Sequence, residues 1–389
     1  MKKMKSLFLL NILTLAIPLK TPAINSQSYF KNNFTEAKAD FKGRCEAITK
    51  SNHKAICGSE KETDFLFIPQ ENSKKLVIIQ SGTHGIEGHA GSGIQSFLID
   101  YIQLQKVSKT SFLFIHGVNP HGFKNNRRVN QNNVDLNRNF AEDKSLFSSQ
   151  NQSYEKINFF LNPTDKQKQN FLTTLSFYYN SVVLVLKHSK DTLKRAILKG
   201  QYHQPKGIYF GGNDYQPEFF VINSIWDKFI PDFNEVLLVD LHTGYGERSK
   251  LHLLANSSRD KNSEELKKIF PKQNIDFGED KEFYQVSGDI TSYFYHKFNS
   301  EKIKVYALAF EFGTMDSQKL LGSIDSLYRM VSENSGVQNG YKTPEDQTKT
   351  ETLLLDMFYP KDFSWRDQVI LQTKEKADEI LTYFESKTF

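Results

Sequence analysis

The sequence predicts a single α/β domain with a central mixed, mainly parallel twisted β-sheet flanked by helices. Residues 76–79 form an apolar run typical of a buried strand, residues 90–105 have helical periodicity, and residues 111–118 form a second strand-like run. A strand, a helix and a strand in this order indicate two parallel strands joined by a crossover. No linker or internal repeat divides the 389 residues, which favours one elaborated domain.

Periodicity predicts the remaining elements. Strands are expected at residues 64–69, 76–80, 235–244, 251–254 and 305–310, with the first two as neighbours across a polar turn. Helices are expected at residues 30–48, 218–229, 317–333, 344–357 and 365–385. The first of these helices is expected to pack on the body of the protein through its apolar residues: Phe30, Phe34, Ala37, Phe41 and Ala47. Residues 165–199 fit a helix or a helical hairpin, although residues 181–186 would also fit a strand.

The amino terminus has the pattern of a secretory signal peptide. A basic segment at residues 1–5 precedes an apolar segment at residues 6–19, and Ala23 suits cleavage. We therefore expect residues 1–23 to be removed, residues 24–389 to form the mature domain, and the protein to be secreted or periplasmic. The apolar segment is short for a bilayer and no other such segment follows, so no membrane span is expected in the mature protein.

Charge and cysteine content exclude some classes of function. Removing the expected signal takes away four lysines and no acid, which lowers the formal charge of +5 to about +1. No basic stripe with interleaved aromatic residues is found, so nucleic-acid binding is not expected. Cys45 and Cys57 form a disulfide or remain free, and without a Cys-x-x-Cys pair they make no structural zinc site.

A histidine and a glutamate follow the first buried strand within a glycine-rich turn. His84 and Glu87 are three residues apart, and Gly82, Gly85 and Gly88 allow the backbone to turn sharply between them. An imidazole and a carboxylate so placed can converge on one zinc ion. A glycine-rich turn that carries these two residues without a metal is the alternative, so further ligands must come from elsewhere in the chain.

Two later strands end in residues that complete such a site. The strand at residues 235–244 carries His242, and the strand at residues 305–310 is followed by Glu311. The carboxyl ends of parallel strands meet at one edge of a sheet. A catalytic zinc needs three protein ligands and a carboxylate that takes a proton from the attacking water. His84, Glu87 and His242 supply the ligands and Glu311 the base, so one Zn²⁺ per chain is predicted.

At this point the sequence resembles the zinc carboxypeptidase family, the carboxypeptidase A-like metallopeptidases, and within it a little-characterised bacterial branch. The resemblance covers residues 75–315 and rests on several motifs in one order. Those motifs appear at His84 and Glu87, residues 119–122, Arg127 and Arg128, residues 134–140, His242, Tyr284 and Glu311. The resemblance implies a zinc carboxypeptidase-like catalytic domain with a core at about residues 60–320 and C-terminal helices at residues 317–389.

The resemblance also implies roles for residues around the metal. Asp135 would accept a hydrogen bond from His84 and hold the imidazole in one tautomer. Asn137 and Arg138 would bind a substrate carboxylate, the arginine through two parallel hydrogen bonds. The substrate would therefore present a free carboxylate.

Further roles concern the reaction itself. Arg128 or its neighbour Arg127 would stabilise the oxyanion, and the sequence does not distinguish between them. Tyr284 would close over the bound substrate. Glu311 would take a proton from water and later pass it to the leaving amine.

The chain departs from the family pattern in two respects. His121 stands where the family commonly has an aspartate, and Asn137 and His242 are 105 residues apart, further than in digestive members. The longer segment is expected to cover the site and restrict its substrates. Four other histidines near the expected site loops are interpreted as structural or as partners of the residues that bind the metal: His89, His116, His121 and His252.

Three functions remain open. The first is a metallocarboxypeptidase that cleaves the amide bond next to a free carboxylate of a peptide. The second keeps the zinc but acts as an amidase or deacylase on an N-acyl amino acid or a cell-wall peptide. The third is a non-catalytic binding protein, which predicts that Glu311 or a metal ligand is lost; the sequence retains all of them.

Overall fold

A computed structural model of the protein describes residues 25–105, 107–188, 193, 196, 199–255, 261–277 and 287–386. The expected signal peptide lies outside these residues. None of the helices in the described ranges is long and apolar enough to cross a membrane.

Eight strands form one sheet within the described part of the chain. They are β1 (Ile56–Glu60), β2 (Thr63–Ile68), β3 (Lys75–Ser81), β4 (Thr110–His116), β5 (Glu235–Gly244), β6 (Leu251–Leu254), β7 (Ile275–Asp276) and β8 (Lys304–Gly313). Their order across the sheet is β1-β2-β4-β3-β5-β8-β6-β7. The pairs β3–β4, β3–β5, β5–β8 and β6–β7 are parallel, and the pairs β1–β2, β2–β4 and β6–β8 are antiparallel. The sheet confirms the predicted mixed, mainly parallel α/β fold.

Helices pack on both faces of this sheet. The α-helices are α1 (Phe34–Ser51), α2 (Gly88–Leu104), α3 (Pro120–Lys124), α4 (Gln152–Glu155), α5 (Asn158–Leu161), α6 (Phe171–His188), α7 (Pro217–Phe229), α8 (Lys261–Ile269), α9 (Ile290–Phe298), α10 (Leu320–Asn339), α11 (Pro344–Phe358) and α12 (Phe363–Ser386). The predicted crossover β3–α2–β4 and the three predicted C-terminal helices are confirmed. Residues 181–186 lie in α6, so the strand alternative for them is wrong.

Three details of the sequence prediction are corrected. β2 and β3 are not neighbours, because β4 lies between them and pairs with both. The first helix begins at Phe34 because the side chain of Asn33 accepts a hydrogen bond from the backbone N–H of Glu36 and caps it there. Ala47, expected on the buried side of that helix, is exposed, whereas Cys45 and Ile48 are buried.

Two apolar clusters hold the sheet between its helices. Successive strand residues point to opposite faces, so Val77 and Ile79 of β3 join one cluster, and Leu76 and Ile78 join the other. Helices α1, α2, α8 and α12 cover the first face, and α7 and α9 cover the second. Because both faces of β3 are buried, its side chains are almost continuously apolar.

A disulfide joins Cys45 of α1 to Cys57 of β1, across 12 residues of sequence. The structure therefore supports a disulfide between these cysteines over two free thiols. On the chain-entropy model a loop of this length stabilises the folded state by about 3 kcal/mol. The bond anchors α1 to the edge strand that it packs against.

Candidate metal centre

The carboxyl ends of three adjacent parallel strands form the floor of the site. Ser81 at the end of β3 is paired with Leu241 of β5, so His84 and His242 leave the sheet at the same edge. On the other side of β5, His242 is paired with Glu311 of β8. The sheet register therefore brings together residues that are far apart in the sequence.

The turn after β3 depends on two of its glycines. Gly82 has a φ of +75°, a conformation that is costly for other residues. A Cβ on Gly85 would lie 2.2 Å from the carbonyl carbon of Gly122, so only glycine fits against that loop. The N–H of Gly85 donates to the carbonyl of Arg128 at 3.1 Å, which ties the turn to the arginine loop.

His84, Glu87 and His242 converge on one point among the described residues. Oε1 of Glu87 lies 2.8 Å from Nδ1 of His84, and Oε2 lies 2.9 Å from Nδ1 of His242. The two Nδ1 atoms are 3.2 Å apart, and all three side chains are buried.

The separation of the two imidazole nitrogens fits a tetrahedral zinc ion. Ligand atoms held about 2.0–2.1 Å from a tetrahedral zinc stand about 3.3 Å from one another, close to the separation of the two imidazole nitrogens. The donor set is two nitrogens and one carboxylate oxygen, which suits zinc in hydrolases. Because all three side chains are buried and their two chain segments are attached to the sheet, the residues present fit the ion that the sequence predicts.

Each imidazole has a carboxylate at its far nitrogen. Nε2 of His84 lies 3.2 Å from Oδ1 of Asp135, and Nε2 of His242 lies 2.6 Å from Oδ2 of Asp240. Such carboxylates fix the tautomer and leave Nδ1 of each ring for the metal. Thr83 donates to Asp240 through its hydroxyl at 2.9 Å and holds this carboxylate in turn.

Asp240 is not among the site residues predicted from the sequence. Its spacing from His242 could have identified it. Asp240 precedes His242 by two residues in β5, and side chains two residues apart lie on the same side of a strand. An aspartate inside an otherwise apolar buried strand is a second signal, because a buried charge needs a partner.

Burial and charge shift the ionisation of these groups. Burial alone would lower the pKa of His242, but Asp240 and then Glu87 raise its pKa well above the usual value. Burial would raise the pKa of Glu87, yet the charge of His84 and hydrogen bonds from both histidines hold it well below its usual range. Metal binding at Nδ1 of His242 would therefore have to displace a proton, and the affinity for zinc would then depend on pH.

Glu311 is buried beside this cluster without joining the ligand set. Its Oε1 accepts a hydrogen bond from the backbone N–H of Tyr245 at 2.9 Å. Burial, and then the negative charge of Glu87, raise the pKa of Glu311 to about 8. A cation bound at the cluster would oppose this shift, since it favours the ionised carboxylate.

The two adjacent arginines point in different directions. Arg128 donates through Nε to Asp135 at 3.0 Å, and its Nη1 lies 3.4 Å from Oε1 of Glu87. Arg127 donates through Nε to buried Glu333 of α10 at 2.6 Å. Arg128 also lines the cavity next to the cluster, so its guanidinium is the one beside the candidate metal site.

The two residues expected to bind a substrate carboxylate differ in their access to the cavity. Asn137 lines the cavity, and its Oδ1 accepts from the N–H of Ile290 at 3.0 Å. Arg138 is fully buried, with Nη1 donating to the carbonyl of Asn137 at 2.8 Å. The guanidinium carbons of Arg128 and Arg138 lie 5.5 and 5.9 Å from the ring centre of Tyr209, which does line the cavity.

A cavity of about 560 Å³ opens over the cluster. His84, Glu87, His242 and Glu311 lie on its floor with Arg128. The wall includes apolar side chains of the segment between Asn137 and β5 and of the C-terminal helices: Phe160, Leu161, Leu184, Ile324, Leu327 and Met330. The segment that was expected to cover the site therefore forms part of its wall. Tyr284, expected to close over the substrate, lies outside the described residues.

Other histidines take no part in the cluster. His89 stacks on Tyr359, its Nε2 lies 2.7 Å from Oδ1 of Asn126, and burial lowers its pKa to about 4. His116 is also buried, which lowers its pKa to about 4. Nε2 of His252 accepts from the backbone N–H of Glu247 at 3.0 Å. Each has the structural surroundings that the sequence analysis expected.

Comparison with known proteins gives a family without a stated activity. The sequence model of the family described as "Protein of unknown function (DUF2817)" matches residues 25–372. Among curated proteins, none matches this chain.

Several solved structures share parts of the fold. Carboxypeptidase A from Helicoverpa armigera is 15% identical with a TM-score of 0.42, over 85% of this chain and 75% of that one. Bovine thrombin-activatable fibrinolysis inhibitor is 13% identical with a TM-score of 0.43, over 90% and 99%. A metallo-carboxypeptidase from Burkholderia cenocepacia is 11% identical with a TM-score of 0.39, over 86% and 69%. Similarities this low leave the chemistry of this chain to be inferred from its own side chains.

The carboxylate of Asp240 should be needed for tight metal binding. We expect Asp240→Asn to weaken zinc affinity about 10- to 100-fold, because a neutral amide no longer holds His242 in the metal-binding tautomer. Competition with a chromophoric chelator measures this, and the exposed Asp232→Asn provides a matched control with unchanged affinity. Wild-type affinity in Asp240→Asn would contradict the assignment.

Proposed function

The chain belongs to the DUF2817 family, and we propose that it is a zinc-dependent hydrolase of an amide bond next to a free carboxylate, of the metallocarboxypeptidase type. The observation that carries the proposal is the position of Glu311. A buried carboxylate outside the ligand set lies paired with His242 across two strands, in the same cavity as three converging metal-ligand side chains.

His84, Glu87 and His242 would hold the ion. When bound, zinc would supply Lewis-acid polarisation of the scissile carbonyl and a lower pKa for the attacking water. Asp135 and Asp240 orient the two imidazoles. Glu311 takes the proton from water as the general base and returns it to the leaving amine as the general acid.

Arg128 is proposed to stabilise the oxyanion. It lines the cavity and lies beside Glu87, whereas Arg127 is engaged with Glu333 on another element. A preorganised guanidinium at the point where negative charge develops lowers the barrier without reorganisation during the reaction.

Asn137, Arg138 and Tyr284 are proposed to hold the substrate. Asn137 borders the cavity, and Arg138 supplies positive charge from the buried layer next to Tyr209. A substrate carboxylate would be attracted by the positive charges of Arg128 and Arg138 together. The role of Tyr284 in closing over the substrate remains a prediction from the sequence.

A deacylase of N-acyl amino acids is the second candidate, and the apolar wall favours it. Phe160, Leu161, Leu184, Leu327 and Met330 give the cavity a surface suited to an acyl chain or an apolar side chain. Both candidates share the metal site and the requirement for a free carboxylate. They differ in what lies on the far side of the scissile amide.

Glu311→Gln should separate metal binding from catalysis. We expect it to retain one zinc and to lose about 10³-fold or more in kcat, because glutamine cannot transfer the proton. Metal analysis and steady-state kinetics measure the two effects. Asp276→Asn changes another carboxylate that lines the cavity and should remain near the wild-type rate. Near-normal turnover in Glu311→Gln would remove the proposed mechanism.

The adjacent arginines provide a matched pair of variants. We expect Arg128→Gln at saturating zinc to lower kcat about 10²- to 10³-fold through loss of oxyanion stabilisation. Arg127→Gln should change kcat little and lower the melting temperature instead, because it leaves buried Glu333 without this ion pair. Kinetics and thermal unfolding of both variants test this, and the reverse pattern would assign the role to Arg127.

The substrate class can be read from a panel of compounds. Peptides with free and amidated C-termini and N-acyl amino acids of increasing chain length are compared by kcat/KM. We expect amidation to lower kcat/KM about 10²-fold, because charge-assisted hydrogen bonds to the carboxylate are lost. A preference for long N-acyl chains would favour the deacylase, and equal rates with amidated peptides would contradict carboxylate recognition in both.

A further inference from the structure

Helix α6 carries an apolar face that points away from the protein. Phe171, Leu172, Leu175, Tyr179 and Leu186 have exposed fractions of 76%, 71%, 54%, 69% and 81%. At about 100° per residue these positions fall within an arc of about 100° around the helix. Val182 and Val183, about 40% exposed, extend the same face. Scattered exposed apolar residues are ordinary, but a continuous stripe along a whole helix marks a contact surface.

The opposite side of α6 is fixed to the protein. Phe177 stacks on Phe160 of α5 with ring centres 4.6 Å apart, and it lies 5.2 Å from the ring of Tyr328 in α10. Ser181 and Leu184 are buried on this side, and both line the cavity. The apolar stripe is therefore the outer face of a helix whose inner face borders the candidate active site.

Charged side chains are absent from α6 up to residue 186 and lie at the two ends of the helix. Residues 171–186 contain no Asp, Glu, Lys or Arg, whereas Lys166 and Lys168 precede them and Lys187 follows. All three lysines are exposed. Between residues 156 and 190 the sequence has five lysines and one acid, Asp165. Basic residues at both ends of an exposed apolar face are typical of helices that lie in the headgroup region of an anionic bilayer.

We propose that the outer face of α6, defined by the seven residues named above, docks the protein on an anionic lipid surface. The helix would lie parallel to the membrane with its apolar stripe among the acyl chains and its terminal lysines among the phosphates. A second copy of the chain fits less well, because two α6 helices packed face to face bring lysines against lysines in either orientation. Such docking would place the cavity next to the bilayer, where substrates with an apolar chain are concentrated.

Vesicle co-sedimentation of the full mature chain, loaded with zinc, tests the proposal. The vesicles are phosphatidylcholine alone and phosphatidylcholine with about 30 mol% phosphatidylglycerol. We expect binding to the anionic vesicles, weakened at least ~10-fold by Leu172→Asp/Leu186→Asp because charge opposes insertion of the stripe. Both residues are exposed, so the melting temperature should stay the same.

Two controls separate the contributions. Leu371→Asp places the same charge at a residue of α12 that is 57% exposed and should bind vesicles like the wild type. Lys166→Glu/Lys187→Glu should reduce binding to anionic vesicles severalfold, and added salt should reduce wild-type binding, because both weaken attraction to the headgroups. Equal binding to both vesicle types, unaffected by the lysine variants, would contradict an anionic surface.

Two further outcomes would overturn the proposal. One is a wild-type chain that binds neither type of vesicle. The other is a dimer, measured by light scattering after size exclusion, that becomes monomeric in Leu172→Asp/Leu186→Asp without any vesicle binding, which would assign the face to a second copy. Neither outcome depends on enzymatic activity, so the test stands apart from that of the proposed function.

Discussion

The buried carboxylate of Glu87 is the group on which the site depends. Two imidazoles lie within 2.9 Å of its oxygens, and the backbone N–H of Thr243 donates to it at 3.1 Å. An isolated carboxylate in such surroundings would cost several kcal/mol, and these partners offset that cost. Because His84 and His242 are themselves held by carboxylates at their far nitrogens, the whole cluster forms one charge network. A divalent cation at its centre would balance the negative charge that the network carries.

The position of that network follows from the sheet. β3, β5 and β8 are parallel neighbours, and parallel strands present their carboxyl ends to one edge. His84 and His242 come from two of these ends and Glu311 from the third. The same register that pairs His242 with Glu311 fixes the separation between a candidate metal ligand and the proposed base. Loops attached to this rigid edge supply Arg128, Asp135 and Asn137.

The segment between Asn137 and β5 contributes both to the cavity wall and to the outer surface of the protein. Its helices α5 and α6 pack against α10, and their inner side chains form part of the cavity wall. The outer face of α6 is apolar and exposed. One helix thus borders the candidate active site on one side and presents the proposed lipid-binding surface on the other. The wall and the outer face together would favour substrates that have both a carboxylate and an apolar portion.

The sequence by itself determined the α/β class and the crossover, and it predicted the three side chains that converge in the structure as candidate metal ligands. These features are encoded locally, because hydrophobic periodicity identifies strands, and His84, His242 and Glu311 follow recognisable strand ends. The candidate metal ligands could be named because few residue types bind zinc. The roles of Asn137, Arg138 and Tyr284 remain predictions.

Only the tertiary structure decided the rest. The structure shows that β4 lies between β2 and β3. It also shows that Arg128, and not Arg127, points toward Glu87, and that Asp240 supports His242. The exposure of one face of α6 is visible there as well. The physical reason is that adjacent residues have similar local signals, whereas strand order, side-chain direction and burial depend on contacts between distant segments.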